Sequence, residues 1–226
     1  MIRVYPLYLG MSYAYVVVVD DIAFVVDCGL VRRERAILDK LREVGVQRLA
    51  FIYLTHAHLD HSGSVAALKR ATGVPVLIHY ADADALRAGR TELGTARNGG
   101  QFVKPFLPLV ERFIGPEPCE PDVLVDDGDT LTDYGLDATV MYIPGHTPGH
   151  AALLVRAAGE LHVFSGDLIT SENEVPRLQR NYATDWNALI PSLERLQSTS
   201  PDYLYPGHGN HVPIHGDTLP KMSYPE

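Results

Sequence analysis

Two kinds of apolar patterning alternate along the chain, and each predicts a different element. AYVVVVD (14–20) and IAFVVD (22–27) are β-branched runs parted by Asp20-Asp21, the pattern of two strands joined by a tight turn. VRRERAILDKLREVG (31–45) places apolar residues at 31, 37, 38, 41 and 44, a helical stripe that Gly45 ends. RLAFIYLTH (48–56) reads as a buried strand and HSGSVAALKRATG (61–73) as a helix capped by Ser62 and stopped at Gly73. VPVLIH (74–79) is a further strand and ADADALRAG (81–89) a short helix.

Residues 90–122 break this rhythm with Gly94, Gly99, Gly100, Pro105, Pro108, Gly115, Pro116, Pro118 and Pro121. Phe102, Phe106 and Phe113 recur there at one or two helical turns, which predicts a loop-plus-helix insertion of the kind that lines a pocket. Strands resume at DVLVDDGDTL (122–131), LDATVMYIPGH (136–146), AALLVRA (151–157) and LHVFSGD (161–167). TDWNALIPSLERLQS (184–198) sets Trp186, Leu189, Ile190, Leu193 and Leu196 on one helical face, and Pro191 demands a kink or a late start. DYLYPGHG (202–209) is the last strand and its turn, with His211 and His215 beyond it in a C-terminal loop.

The polar residues that end these runs change the picture. His56, His58, Asp60 and His61 follow FIYLT, His146 follows VMYIP, Asp167 follows LHVFSG and His208 follows YLYPG. Strands that finish at one edge of a sheet deliver their next residues to one place, so four such ends imply a shared site. Imidazole nitrogen and carboxylate oxygen are ligands for Zn²⁺ or Fe²⁺. Seven of them exceed what one tetrahedral ion takes and suit two ions, with a carboxylate between. In HAHLDH the residues 56, 58 and 60 send their side chains one way along an extended segment, and His61 turns into the following helix.

Composition narrows the partners. The 226 residues suffice for one core, and 1–226 is expected to form one domain with 90–122 as an insertion beside the site. Nineteen basic against 28 acidic residues leave a net charge of −9, which repels nucleic acid and anionic membrane. Cys28 and Cys119 make no disulfide framework, no signal-peptide pattern opens the chain and no apolar run has membrane-spanning length. A cytoplasmic protein acting on a small molecule, with a homodimer open, is expected.

THAHLDHSG, IPGHTPGHAALLV, FSGDLI and LYPGHG together resemble the metallo-β-lactamase superfamily, in its glyoxalase II-like hydrolase branch. The resemblance runs from the opening hairpin to His208. It implies an α+β fold, a four-layer αββα sandwich of two mixed sheets flanked by helices, with metals at one edge between the sheets. It also implies that His56, His58 and His146 hold a first metal, that Asp60, His61 and His208 hold a second, and that Asp167 bridges them. Zinc is the first choice of ion, with iron and manganese also compatible.

The family's chemistry is hydrolysis of a small ester, thioester or lactone by a hydroxide held between two metals, with Asp60 orienting the nucleophile or passing a proton. The family's best-known zinc β-lactamases carry cysteine where Asp167 stands, so β-lactam hydrolysis is not expected. The short stretch after His208 leaves out the helical domain of glyoxalase II, so hydroxyacylglutathione is not expected either. Lactonases of the superfamily place a tyrosine soon after the bridging aspartate. Here Leu168, Ile169 and Thr170 follow, and Tyr182 comes later. A mononuclear iron persulfide dioxygenase is the alternative, and a nuclease, disfavoured by the charge, comes third.

Around the ligands, Asp27 of VVDCG resembles the family's acidic residue that supports a ligand, and His150 of HTPGH is a second supporting candidate. Residues 94–106 and 171–182 are the expected pocket walls, with Arg97, Phe102, Phe106, Arg177 and Tyr182 as candidate substrate contacts.

Overall fold

The computed structural model describes residues 1–172, 175–209 and 214–215. Its first half runs β1 (Ile2–Tyr8), β2 (Tyr13–Val19), β3 (Ile22–Val26), α1 (Glu34–Glu43), β4 (Leu49–Leu54), α2 (Leu59–Ser62), α3 (Val65–Thr72), β5 (Val76–His79), α4 (Ala83–Ala88), β6 (Thr95–Ala96), α5 (Gly100–Val103), α6 (Leu107–Ile114) and β7 (Val123–Val125). The second half runs β8 (Ala138–Tyr142), β9 (Ala151–Ala157), β10 (Glu160–Glu172), β11 (Val175–Leu178), β12 (Tyr182–Ala183), α7 (Leu189–Ser198), β13 (Tyr203–Gly209) and β14 (Ile214–His215).

These elements form two mixed sheets. The first has the order β1-β2-β3-β4-β5-β7, antiparallel up to β3 and parallel from β3 onward. The second has the order β14-β13-β10-β9-β8, with β11 paired to β10. Side chains that alternate along each strand divide between two cores, as a period of two requires. Phe51 and Tyr53 of β4 enter the core between the sheets, against Val140, Leu153, Val155 and Phe164. Ile52 and Leu54 of the same strand face Ile37 and Leu41 of α1 and Val65 and Leu68 of α3. On the far side, Leu189, Leu193 and Leu196 of α7 cover Met141, Val163 and Leu204. The layers are therefore helix, sheet, sheet, helix, as the resemblance implies.

Most predicted elements are present, and the differences have local causes. The turn at Asp20-Asp21 stands, with Val19 facing Ile22 and Asp20 at φ 51°. The N-terminal IRVYPLY, which its broken pattern left unassigned, is edge strand β1, where Pro6 is tolerated. The helix expected over 61–73 is two helices, because Ser64 leaves helical geometry at φ −99°, ψ 4°, while Gly63 stays helical and lets the Leu30–Val31 backbone approach. A β-carbon at Gly63 would lie 2.5 Å from Leu59 O and Val31 N. Ser62 is not its cap; its hydroxyl donates to the carbonyls of Ala57 and His58 at 3.1 and 3.0 Å. Pro191 marks the late start of α7 at Leu189, where its missing N–H costs no hydrogen bond. The strand expected over 122–131 shrinks to β7. His215 stands in β14, opposite Tyr203, rather than in a loop, while His211 lies outside the described residues. No helix among the described residues is long and apolar enough to cross a membrane.

Candidate metal centre

Four chain segments meet at the edge where the sheets adjoin. After β4 the chain bends at Thr55, His58 is extended, and α2 then carries Asp60 and His61, so residues 56, 58 and 60 do not share one extended segment. The loop between β8 and β9 brings His146 and His150. Asp167 comes from β10, where the pairing with β13 slips between Gly166 and Thr170, and His208 comes from β13 itself. His56, His58, His146 and Asp167 offer ligand atoms within 4.8 Å of one another, and so do Asp60, His61 and His208. Asp167 sits between the two groups. Its Oδ2 is 3.3 Å from His146 Nε2, 3.9 Å from His56 Nε2 and 3.1 Å from His208 Nε2, and its Oδ1 is 3.1 Å from His61 Nε2. Gly207 permits this approach. A β-carbon there would press on Asp167 Oδ1 and lie 2.6 Å from His61 Cε1.

Each of the five imidazoles has one ring nitrogen paired with an outer acceptor. His56 Nδ1 lies 3.0 Å from Thr55 Oγ1, and the Thr55 hydroxyl donates to Asp27. His61 Nδ1 lies 2.8 Å from Asp27 Oδ2. His58 Nε2 meets Glu92 O at 3.1 Å, His146 Nδ1 meets Tyr182 O at 3.1 Å and His208 Nδ1 meets Met11 O at 3.0 Å. These acceptors fix the tautomers, since a carbonyl or carboxylate can only accept, and the Thr55 proton goes to Asp27. The second nitrogen of every ring therefore points inward and is the one left to ligate, where a metal ion would replace any proton it carries. His58 Nδ1 and His146 Nε2 face each other at 3.0 Å, and His61 Nε2 and His208 Nε2 at 3.4 Å. His56 Nε2 and Asp167 Oδ1 are buried without any hydrogen-bond partner. Converging ligand atoms repel unless a cation lies among them, so this donor set fits divalent metal ions.

The electrostatics agree. Burial pushes His58 down to about 3, with His146 adding to the fall, so its inner nitrogen is unprotonated at neutral pH. Burial pushes Asp60 upward, but His61 and His208 outweigh it and hold the carboxylate at about 2. Burial likewise lowers His208, yet Asp167 and Asp60 outweigh it and raise the ring to about 10. The two carboxylates thus demand positive charge at their side of the cluster, which a proton or a metal ion supplies.

Both supporting candidates touch the cluster. Asp27, at φ 59°, accepts the Thr55 N–H at 2.9 Å as well as the His61 and Thr55 side chains. His150 Nε2 accepts the Asp167 N–H at 3.1 Å, and its Nδ1 donates to Ile143 O at 3.2 Å. Burial lowers His150 to about 3, which keeps it neutral for that acceptor role. Among the candidate substrate contacts, Tyr182 is at the site. Its carbonyl holds His146, and burial together with the Asp60 charge raises its phenol. The two expected walls do meet: β6 pairs with β12, and Arg97 N donates to Asn181 O at 2.8 Å. Arg97, however, lies over the Trp186 ring at 4.2 Å. Phe102 and Phe106 face solvent on α5 and the turn after it, and Arg177 is exposed on β11. Residues 173–174 of the second wall lie outside the described residues. Of the remaining histidines, His79 stacks on Tyr142 with ring centres 4.4 Å apart, and His162 is buried against Tyr205.

Asp82 is a residue that pattern reading passed over. Buried between β5 and α4, it accepts from Ala57 N at 3.0 Å, Thr147 Oγ1 at 2.8 Å and Gly149 N at 2.6 Å. It thereby ties the His56–His58 segment to the loop bearing His146. The available signal was its place: it follows β5, which runs parallel to β4. Asp82→Ala leaves three buried donors unpaired and is expected to cost about 2–4 kcal/mol of stability. The midpoint should fall by roughly 5–10 °C in calorimetry of the metal-loaded protein. Metal affinity by competition with a chromophoric chelator should weaken about 10-fold or more.

The family follows from sequence comparison. A family model described as the metallo-beta-lactamase superfamily matches residues 7–208. The chain belongs to the metallo-β-lactamase superfamily. Its relatives include the human acyl-coenzyme A thioesterase MBLAC2, 26% identical over 172 residues, which are 75% of this chain and 59% of that protein. Hydroxyacylglutathione hydrolase of Pseudomonas putida (strain W619) is 32% identical over 147 residues, 65% of this chain and 42% of the enzyme. The chain thus spans well under two thirds of either relative. Among solved structures, TTHA1623 in a di-iron-bound form superposes with a TM-score of 0.70 at 30% identity, covering 93% of this chain and 94% of that one. The His/Asp cluster is thus the candidate metal centre of a metallo-β-lactamase superfamily member.

Proposed function

We propose that this protein is a metallohydrolase that cleaves the acyl bond of a small thioester, ester or lactone, thioesters foremost, with two divalent ions in its site. One ion would be held by His56, His58 and His146 and the other by Asp60, His61 and His208, with Asp167 shared. The observation that carries this reading is the inward set of five imidazole nitrogens, each held by an outer acceptor, around two carboxylates. A thioesterase and a hydrolase of hydroxyacylglutathione among the relatives favour thioesters. Zinc, iron and manganese all suit His/Asp donors, and the relative solved with two irons makes iron as natural a choice as zinc.

When bound, such ions lower the pKa of water towards neutrality and polarise an acyl oxygen. The chain's own groups do the rest. Asp27, Thr55 and the carbonyls of Glu92, Tyr182 and Met11 lock the five rings, so no reorganisation is needed during reaction. Asp60, fully ionised at neutral pH, accepts and returns a proton at its Oδ2, which lies 3.2 Å from His208 Nε2. The Tyr182 phenol, kept protonated by its raised pKa, is the candidate donor to the substrate oxygen. A panel of acyl-coenzyme A, acylglutathione, aryl ester, lactone and phosphodiester substrates tests the reading. Thioester hydrolysis that a chelator abolishes and added metal restores is the expected result. Activity confined to phosphodiesters, or oxygen uptake with a persulfide and one iron per chain, would overturn it.

A further inference from the structure

The insertion carries an apolar stripe that nothing among the described residues covers. Phe102, Phe106, Leu109 and Phe113 are 79, 62, 59 and 70% exposed, and α6 has no buried residue at all. α5, a 3-10 turn over Lys104–Phe106 and α6 follow one another without a break, and all four of these side chains are left on the outside. The opposite side of the insertion is fastened to the molecule. Gly100 abuts the Tyr182 ring, Lys104 Nζ donates to Gly94 O, and Glu111 accepts from Thr91 N at 2.8 Å. The stripe is therefore held outward by its own anchors.

We propose that this stripe is the interface of a homodimer, in which α5 and α6 of two copies pack antiparallel about a two-fold axis. The spacing reads the same in both directions. An axis between Phe106 and Leu109 sets Phe102 of one copy against Phe113 of the other, and Phe106 against Leu109, as an isologous contact requires. The area is sufficient. A wholly exposed phenylalanine offers about 200 Å², so the four side chains present about 500 Å² and two copies bury about 1,000 Å², the lower bound for a specific interface. Val103, 53% exposed, adds to the rim. Of the charged residues between Phe102 and Phe113, Lys104 and Glu111 are turned to the molecule's own backbone, and Arg112 is exposed. A lipid surface fits less well, since the net charge of −9 repels anionic membranes.

Sedimentation equilibrium of the full, metal-loaded chain at micromolar concentration tests this. The wild type is expected to be a dimer. Leu109→Glu with Phe113→Glu should raise its dissociation constant by about 100-fold or more, leaving metal content and unfolding midpoint as in the wild type. Should that variant fail to fold, an equimolar mixture of Phe106→Cys and Leu109→Cys chains provides the second measurement. Mild oxidation should join the two, and the buried Cys28 and Cys119 do not compete. A monomeric wild type, a dimer that survives both glutamates, or no mixed disulfide would overturn the proposal. So would stripe-dependent binding of the monomer to phosphatidylcholine vesicles, which would assign the stripe to lipid.

Discussion

Asp167→Ala is expected to empty the centre and abolish hydrolysis. Asp167 is the one side chain whose two oxygens reach both ligand groups, at 3.1 Å from His61, 3.1 Å from His208 and 3.3 Å from His146. Without it, four inward imidazole nitrogens lose the negative charge that offsets a divalent ion, and the His61–His208 pair loses its bridge. Elemental analysis should show loss of at least one ion per chain, and kcat/KM for the preferred acyl substrate should fall by about 10⁴ or more. The apo protein should still fold, because Asp167 lies outside the two hydrophobic cores that the first sheet faces. Retention of two ions with near-normal activity would contradict the bridging role.

Asp60→Asn separates proton handling from metal binding. The carboxylate stays ionised far below neutral pH, since His61 and His208 outweigh the effect of its burial. An amide keeps the shape and one acceptor oxygen but cannot take up a proton. For a group that moves a proton in the transition state, kcat should fall by about 10²–10⁴ with KM little changed. Metal content must be measured on the same sample, and excess metal added until loading matches the wild type. A fully loaded Asp60→Asn enzyme with near-normal kcat would remove Asp60 from proton transfer and leave it a ligand alone.

The parts legible in the sequence were those that depend on periodicity and on where runs end. The unbroken apolar runs of RLAFIYLTH and VPVLIH placed β4 and β5. The polar residues just past the apolar runs gave all seven members of the cluster, because the segments after β4 and β8 and the slipped pairing of β10 with β13 converge where the two sheets adjoin. The outer acceptors were not legible. Glu92, Tyr182 and Met11 act through main-chain carbonyls, which any residue supplies, so no side-chain pattern marks them. Their positions depend on the β6–β12 pairing of two segments far apart in sequence. Asp82 was hidden for a similar reason, as its three donors come from two loops that meet only in the folded chain. Helical spacing reports which residues share a face, not which way that face is turned, so the exposure of Phe102 and Phe106 was not legible in the sequence.

Metal equivalents per chain, measured by elemental analysis of wild-type protein and of Asp167→Ala purified side by side without added chelator, address the two-ion centre itself. The geometry predicts two equivalents of zinc or iron in the wild type, lost together with thioester hydrolysis on chelation, and fewer in the variant. A single equivalent in fully active wild type, or none, would contradict a centre built for two ions.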